Sequence, residues 1–154
     1  MNAIFKKLNY KEPGQIYVVN APGSFDKEIE DMRSTAVINT SLTSVKEISF
    51  FLAFVIKQKE LDDLIRKVVP FIKGDGVLWF AYPKGTSKRY MCEFNRDTGW
   101  NELGKHGFEA VRAVAIDEDW SALRFRKADH IKTMTRSFAM TELGKKKIAA
   151  TKRK

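Results

Sequence analysis

The chain has little of what metal, redox and membrane sites need. Its single cysteine, Cys92, excludes an internal disulfide and a zinc site built from several cysteines. It has two histidines, His106 and His130, and neither has a second histidine, cysteine or acid at ligand spacing, so no metal site is expected. A membrane helix takes about 20 apolar residues. The most apolar stretch, Ile48 to Ile56, is far shorter and has the length and content of a buried strand. Met1 to Tyr10 holds Lys6 and Lys7 with no apolar stretch after them, so no signal peptide is expected. The expectation is a reduced, cytoplasmic protein with no membrane attachment.

Glycine is scarce where it would matter most. Gln15 to Asn20 reads as the buried first strand of an α/β domain, and it runs into Ala21-Pro22-Gly23-Ser24-Phe25-Asp26. A nucleotide-binding domain places several glycines there, so that backbone can approach the ligand. Here Gly23 stands alone, and Pro22 removes a backbone donor. Asp26 and Glu28 follow in the first turn of the expected helix, where they complement its dipole and repel an anion. Ordinary dinucleotide binding is therefore argued against.

What is present suffices for one domain. The 154 residues are 44% hydrophobic and 31% charged, and the net charge is +9. That charge is uneven. Residues 127–154 carry nine basic and two acidic side chains, a net of +7, whereas the 126 residues before them carry 19 basic and 17 acidic groups. The reading is an α/β domain over 1–126 and a partly disordered basic extension over 127–154. Lys145 to Lys147 and Lys152 to Lys154 would suit nucleic acid or another acidic partner, although such ends are more often simply solvated. Met134, Phe138, Met140 and Leu143 suggest that part of the extension packs on the domain or on a second copy, which leaves an oligomer open.

Pattern and punctuation give the elements. Ser24 to Met32 reads as a short helix capped by Gly23 or Ser24, and Thr35 to Asn39 as a second strand. Thr40 to Glu47 is too short for a crossover helix, which leaves the sheet order there open. Ile48 to Ile56 is the third strand. Leu61, Leu64, Ile65, Val68, Val69 and Ile72 share one face of a helix that Pro70 ends or kinks. Gly74-Asp75-Gly76 reads as the turn into a fourth strand, Val77 to Tyr82. Thr86 to Arg96 is a loop, and Thr98 to His106 a helix capped by Asp97 or Thr98 and stopped by Gly107. Phe108 to Ile116 and Ser121 to Arg126 form a hairpin closed at Asp117 to Trp120.

Three segments carry a resemblance: Phe80-Ala81-Tyr82-Pro83-Lys84, Asn95-Arg96-Asp97-Thr98-Gly99-Trp100, and Asp117 through Arg126. They resemble segments of a bacterial family of small proteins of unknown function, over about Pro13 to Arg126. The element order from Ile48 onward is similar to the second half of class I S-adenosylmethionine-dependent methyltransferases. The resemblance implies a Rossmann-like three-layer α/β sandwich, with a mostly parallel sheet and a C-terminal antiparallel hairpin. It implies no particular activity or cofactor. Where such enzymes hold ribose hydroxyls with an acid at the end of the second strand, this chain has Asn39 or Thr40.

Ligands of open α/β sheets bind beyond the carboxyl ends of the strands. Those ends offer Asn20, Ser24, Asn39, Lys57, Tyr82 and Lys84, and the loop with Asn95, Arg96 and Asp97 is expected to fold over the same edge. Lys84 and Arg96 would hold an anionic group, with Asp97 orienting Arg96 or acting as a base. The plainer reading is that Asp97 caps a helix, Arg96 makes a surface pair and Trp100 is core. It is preferred for Asp97 and Trp100 and evenly matched for Lys84 and Arg96. Arg124 stacked on Trp120 and paired with Asp117 would lock the hairpin. Cations near Cys92 would lower its pKa, yet with no resolving cysteine or paired histidine it reads as a bystander. The functional expectation is a degenerate methyltransferase-like domain that binds a small anionic ligand or a protein. The alternatives are a transferase with an atypical cofactor loop, or a nucleic-acid-associated protein acting through its tail.

Overall fold

Short apolar runs and one amphipathic segment build a six-stranded sheet in the computed structural model, which describes residues 2–11 and 14–131. Strands β1 (Gln15–Val19), β2 (Val37–Asn39), β3 (Ile48–Phe54) and β4 (Ile72–Pro83) run parallel. Strands β5 (Phe108–Ala115) and β6 (Trp120–Lys127) form the expected antiparallel hairpin, and β6 pairs antiparallel with β4. The order across the sheet is β2-β1-β3-β4-β6-β5. This is the Rossmann-like arrangement expected from the sequence.

Both faces of the sheet are covered, which explains its near-continuous apolar strands. On β3, Phe50, Leu52 and Phe54 point to one face, and Phe51 and Ala53 to the other. The first face meets helices α1 (Ala3–Lys7) and α2 (Asp26–Met32) through Phe5, Ile29 and Met32. The second meets α3 (Gln58–Val68) and α4 (Asn101–Lys105) through Leu61, Ile65, Val68 and Leu103. Sequence reasoning missed α1, although its signals are present. The Asn2 side chain accepts from the backbone N–H of Ile4 and Phe5 at 3.0 and 3.2 Å, and Phe5 and Leu8 are fully buried. Trp79 Nε1 donates to the Leu8 carbonyl at 2.8 Å and pins that segment to the sheet.

Three boundaries differ from expectation, each for a local reason. The helix expected from Ser24 starts as a 3-10 turn at Gly23–Phe25 with no side-chain cap. In keeping with the shortness of Thr40 to Glu47, no helix connects β2 to β3; the segment crosses as a loop, with Leu42 buried on the α3 face. A doubly wound sheet ordinarily carries a further strand outside its second, but here β2 is the edge. Helix α3 stops at Val68, Pro70 lies in a 3-10 turn, and Ile72 opens β4 rather than closing a helix. Gly74-Asp75-Gly76 is not a turn between elements but a bulge inside β4. Ile72 opposes Ile48 and Val77 opposes Phe50, so residues 73–76 all bulge out opposite Ser49. Gly74 takes φ +52° there, and a Cβ on Gly76 would lie 2.9 Å from the Ile48 carbonyl oxygen.

Past β6, Ala128–His130 makes one 3-10 turn, and Ala128 and Ile131 are buried against the domain. The expected contacts of Met134, Phe138, Met140 and Leu143, and the lysine clusters from Lys145 onward, lie outside the described residues. Among the described residues, no helix is long and apolar enough to cross a membrane.

Candidate functional site

The loop from Lys84 to Trp100 builds the carboxyl edge of the sheet. It leaves β4 tied to the hairpin turn. Lys84 N–H donates to the Asp119 carbonyl at 2.8 Å, and Ser87 Oγ donates to Asp119 Oδ1 at 2.9 Å. The Tyr90 ring then stacks 4.9 Å from Trp120, which lies 5.1 Å from Phe54 at the end of β3. The chain next crosses the end of β3. Glu93 N–H donates to the Ile56 carbonyl at 3.0 Å, and Glu93 Oε1 accepts from Gln58 N–H at 2.8 Å. The Glu93 carboxylate thus sits on the first turn of α3, where the helix dipole favours it. The loop returns to the core through Phe94 and Trp100, whose rings are 5.1 Å apart. Trp100 Nε1 donates to the Asn95 carbonyl at 2.8 Å, and Gln58 Nε2 donates to the Gly99 carbonyl at 2.7 Å. Gly99 is required there. Its φ is +96°, and a Cβ would lie 2.4 Å from the Phe94 Cβ.

This loop and the ends of β4, β5 and β6 enclose a cleft of about 780 Å³, within the usual size of a small-molecule site. Tyr82, Lys84, Cys92, Arg96, Asp97 and Ser121 line it. Three of the expected site residues, Lys84, Arg96 and Asp97, thereby come to one place. Arg96 Nε and Asp97 Oδ1 are 3.4 Å apart and both side chains are about two-thirds exposed (67% and 68%). A pair that exposed is worth under about 1 kcal/mol, so a ligand anion competes for Arg96 readily. Asp97 does not cap a helix: Asn95 Oδ1 accepts from Asp97 N–H at 2.8 Å and Thr98 N–H at 3.0 Å and closes a turn there, and α4 has Trp100 at its N-cap with no side-chain cap. Helix α4 starts only at Asn101. Trp100 is core, 3% exposed.

Burial raises the Tyr82 pKa against the opposing effects of the Ser121 hydrogen bond and Arg96, so the phenol stays neutral and offers a hydrogen-bond donor. Burial also pushes the Cys92 thiol above its ordinary range, the reverse of the lowering expected from nearby cations. Cys92 is therefore a protonated thiol rather than a nucleophile. The cleft thus has two cations, Lys84 and Arg96, two carboxylates, Glu93 and Asp97, a phenol and a hydroxyl. Glu93 is engaged at the start of α3 and Asp97 pairs only weakly with Arg96, which leaves the cations open to an anion. Among the described residues no group of three metal-ligating side chains occurs.

The other candidates lie elsewhere. Asn20, Ser24 and Asn39 do not line the cleft. Asn20 and Ser24 are exposed after β1, and Asn39 Nδ2 donates to Gln15 Oε1 at 3.2 Å. Lys57 is exposed at the N-cap position of α3. The crevice between β1 and β3, where the strand order reverses, is the usual cofactor position of this architecture. S-adenosylmethionine fits it poorly. Pro22 offers no N–H, Asn39 stands where an acid would be needed and is bound to Gln15, and Phe25 is 2% exposed with its ring 5.0 Å from Phe54. Glu93 occupies the first turn of α3. One feature is retained. Asn20 holds φ +61°, a conformation usually left to glycine, and a Cβ on Gly23 would meet nothing within 4 Å.

At the hairpin turn Asp117 Oδ1 accepts from Asp119 N–H and Trp120 N–H, both at 2.8 Å, which locks the turn as expected. Arg124 takes no part in this; it stands four residues further along β6, with its Nε unpartnered. Sequence reasoning also missed an ion cluster around Glu102 on α4. Glu102 is 8% exposed and accepts from Arg66 Nε at 2.9 Å, with Lys105 at 3.5 Å and His106 at 3.6 Å. The hydrogen bond from Arg66 holds the Glu102 carboxyl below its ordinary range. The spacing of Glu102, Lys105 and His106 was a visible signal; Arg66, from α3, was not.

No family model and no curated protein matches the chain. Solved structures do match. The chain is similar to a ribosomal protein L11 methylase from Lactobacillus delbrueckii subsp. bulgaricus, with 13% identity, a TM-score of 0.51, and coverage of 80% of this chain and 77% of that one. It is also similar to LepI in complex with SAM, with 10% identity, a TM-score of 0.51, and coverage of 81% of this chain and 40% of that one. The chain has a Rossmann-like, methyltransferase-like fold. At such identity the likeness concerns the fold alone.

Proposed function

We propose that this protein is a methyltransferase-like domain that has given up its cofactor and binds a small anionic ligand in the cleft beyond β4. The observation that carries this reading is the convergence of Lys84 and Arg96 on a roughly 780 Å³ recess floored by buried aromatic rings. Arg96 grips a carboxylate or phosphate in bidentate fashion, Lys84 adds a point charge, and the neutral Tyr82 phenol donates a hydrogen bond. Isothermal titration with small phosphorylated and dicarboxylic metabolites tests it. The expected result is saturable binding weakened about tenfold or more by Lys84→Ala with Arg96→Ala. Equal affinity in that variant overturns it.

A second reading is an S-adenosylmethionine-dependent transferase with an atypical loop. The left-handed backbone of Asn20 supports it, because the loop keeps a glycine-like bend without the glycine. Binding of S-adenosylmethionine that Asn20→Ala abolishes would favour this reading over the first.

A further inference from the structure

At the opposite, amino end of the sheet lies another recess, of about 300 Å³, lined by Asn9, Lys11, Gly14, Ser49, Asp75 and Arg124 among others. Arg124 on β6 is the register partner of Trp79 on β4, so its side chain leaves the sheet on the α1–α2 face. Its Nε is buried and has no hydrogen-bond partner among the described residues. A buried charged donor in that state is destabilising. Arg112 stands directly across the hairpin from Arg124, after an irregularity in the register at Val111. Like charges at such a position also destabilise the strand pair. The acid in the recess does not resolve this. Asp75 accepts from both Nε and Nη2 of Arg126 and is engaged there. Burial, Arg126 and Arg112 all disfavour the charged Arg124 guanidinium, and only Asp75 favours it.

Both unfavourable features, the unpartnered nitrogen and the arginine across the hairpin, bear on Arg124, which lines the recess, and one kind of ligand relieves both. We propose that this recess binds a small oxyanion of the phosphate type, held by Arg124 together with Lys11. Asn9 and Ser49 line the same recess and supply neutral donors. With Asp75 neutralised by Arg126, Arg124 and Lys11 leave an excess of positive charge in the recess that suits a dianion. This site is separate from the cleft beyond β4 and does not depend on what that cleft binds.

The test uses the full chain and inorganic phosphate, followed by the amide resonances of Asn9 and Ser49 and by the Arg124 Nε–H resonance. Saturable shifts at all three are expected. Arg124→Gln should weaken the affinity about tenfold or more, with Lys11→Ala smaller in effect and Lys84→Ala with Arg96→Ala without effect. Lys11 is exposed, so its variant reports even if Arg124→Gln fails to fold, and Arg124→Lys provides a charge-preserving check. The proposal is overturned by non-saturable shifts, by shifts confined to the cleft or the lysine-rich tail, or by unchanged affinity in both Arg124→Lys and Lys11→Ala.

Discussion

The carboxyl edge of the sheet presents two unlike surfaces one strand apart. Beyond β1 and β3 the chain packs apolar rings: Phe25 against Phe54, Phe54 against Trp120, and Trp120 against Tyr90. Beyond β4 it leaves a cleft and puts cations on its wall. The fold offers both positions, and the side chains decide which one is used. A Rossmann-like sheet is therefore no evidence of a cofactor. The loop from Lys84 to Trp100 joins the two regions: Tyr90 and Glu93 line the cleft and also reach Trp120 and the start of α3, and Phe94 and Trp100 pack together where the loop returns to the core.

Removing the floor of the open side should have the largest effect. Trp100→Ala deletes a ring packed on Phe94, Tyr82, Phe80 and Phe125 and leaves the Asn95 carbonyl without its donor. A loss of about 3–5 kcal/mol in urea-unfolding stability is expected. Gly99→Ala should follow at about 1–3 kcal/mol, because its φ of +96° and the approach of Phe94 both exclude a Cβ. A Gly99→Ala protein as stable as wild type would mean that the loop does not take this path.

Glu93 borders both regions, lining the cleft and accepting from the first N–H of α3. Glu93→Ala removes the acceptor at the start of α3 and should cost about 0.5–2 kcal/mol. If Glu93 also blocks a cofactor, the same variant should gain affinity for S-adenosylmethionine, read by calorimetry. If it only caps the helix, affinity should not change.

Acid titration isolates the ion cluster around Glu102 from the cleft. The Glu102 carboxyl is held below its ordinary range chiefly by the Arg66 hydrogen bond, so its contribution to stability is present above the unfolded-state value and is lost as pH falls through the folded one. The melting temperature should drop as pH falls below the ordinary glutamate value of 4.5, and Arg66→Ala should flatten that drop. An unchanged acid limb in Arg66→Ala would show that this pair does not set acid stability. The smallest effect belongs to Arg96→Ala. Its exposed side chain should change stability by less than about 0.5 kcal/mol while weakening anion binding.

Most of the sheet was legible because burial on two faces writes long apolar runs, as at Ile48 to Phe54 and Val77 to Tyr82. The amphipathic face of α3 was legible for the same reason. The bulge at Lys73 to Gly76 was not, because glycines read alike in a turn and in a distorted strand. The sheet order became clear only when Thr40 to Glu47 was seen to cross without a helix. Of the site, Lys84, Arg96 and Asp97 were legible because they follow a strand and a loop at the carboxyl edge. The place of Glu93 at the start of α3 and the unpartnered Arg124 depend on contacts between distant segments, which local pattern does not carry.

The most direct measurement is a thermal-shift comparison of the wild-type protein with S-adenosylmethionine and with a panel of small phosphorylated and carboxylic metabolites. A ligand at 100 times its dissociation constant stabilises the native state by about 2.7 kcal/mol, which is readily seen. The account predicts a shift with at least one anion that Lys84→Ala with Arg96→Ala removes, and none with S-adenosylmethionine. A shift with S-adenosylmethionine that Asn20→Ala removes would contradict it and return the chain to the cofactor-dependent transferases.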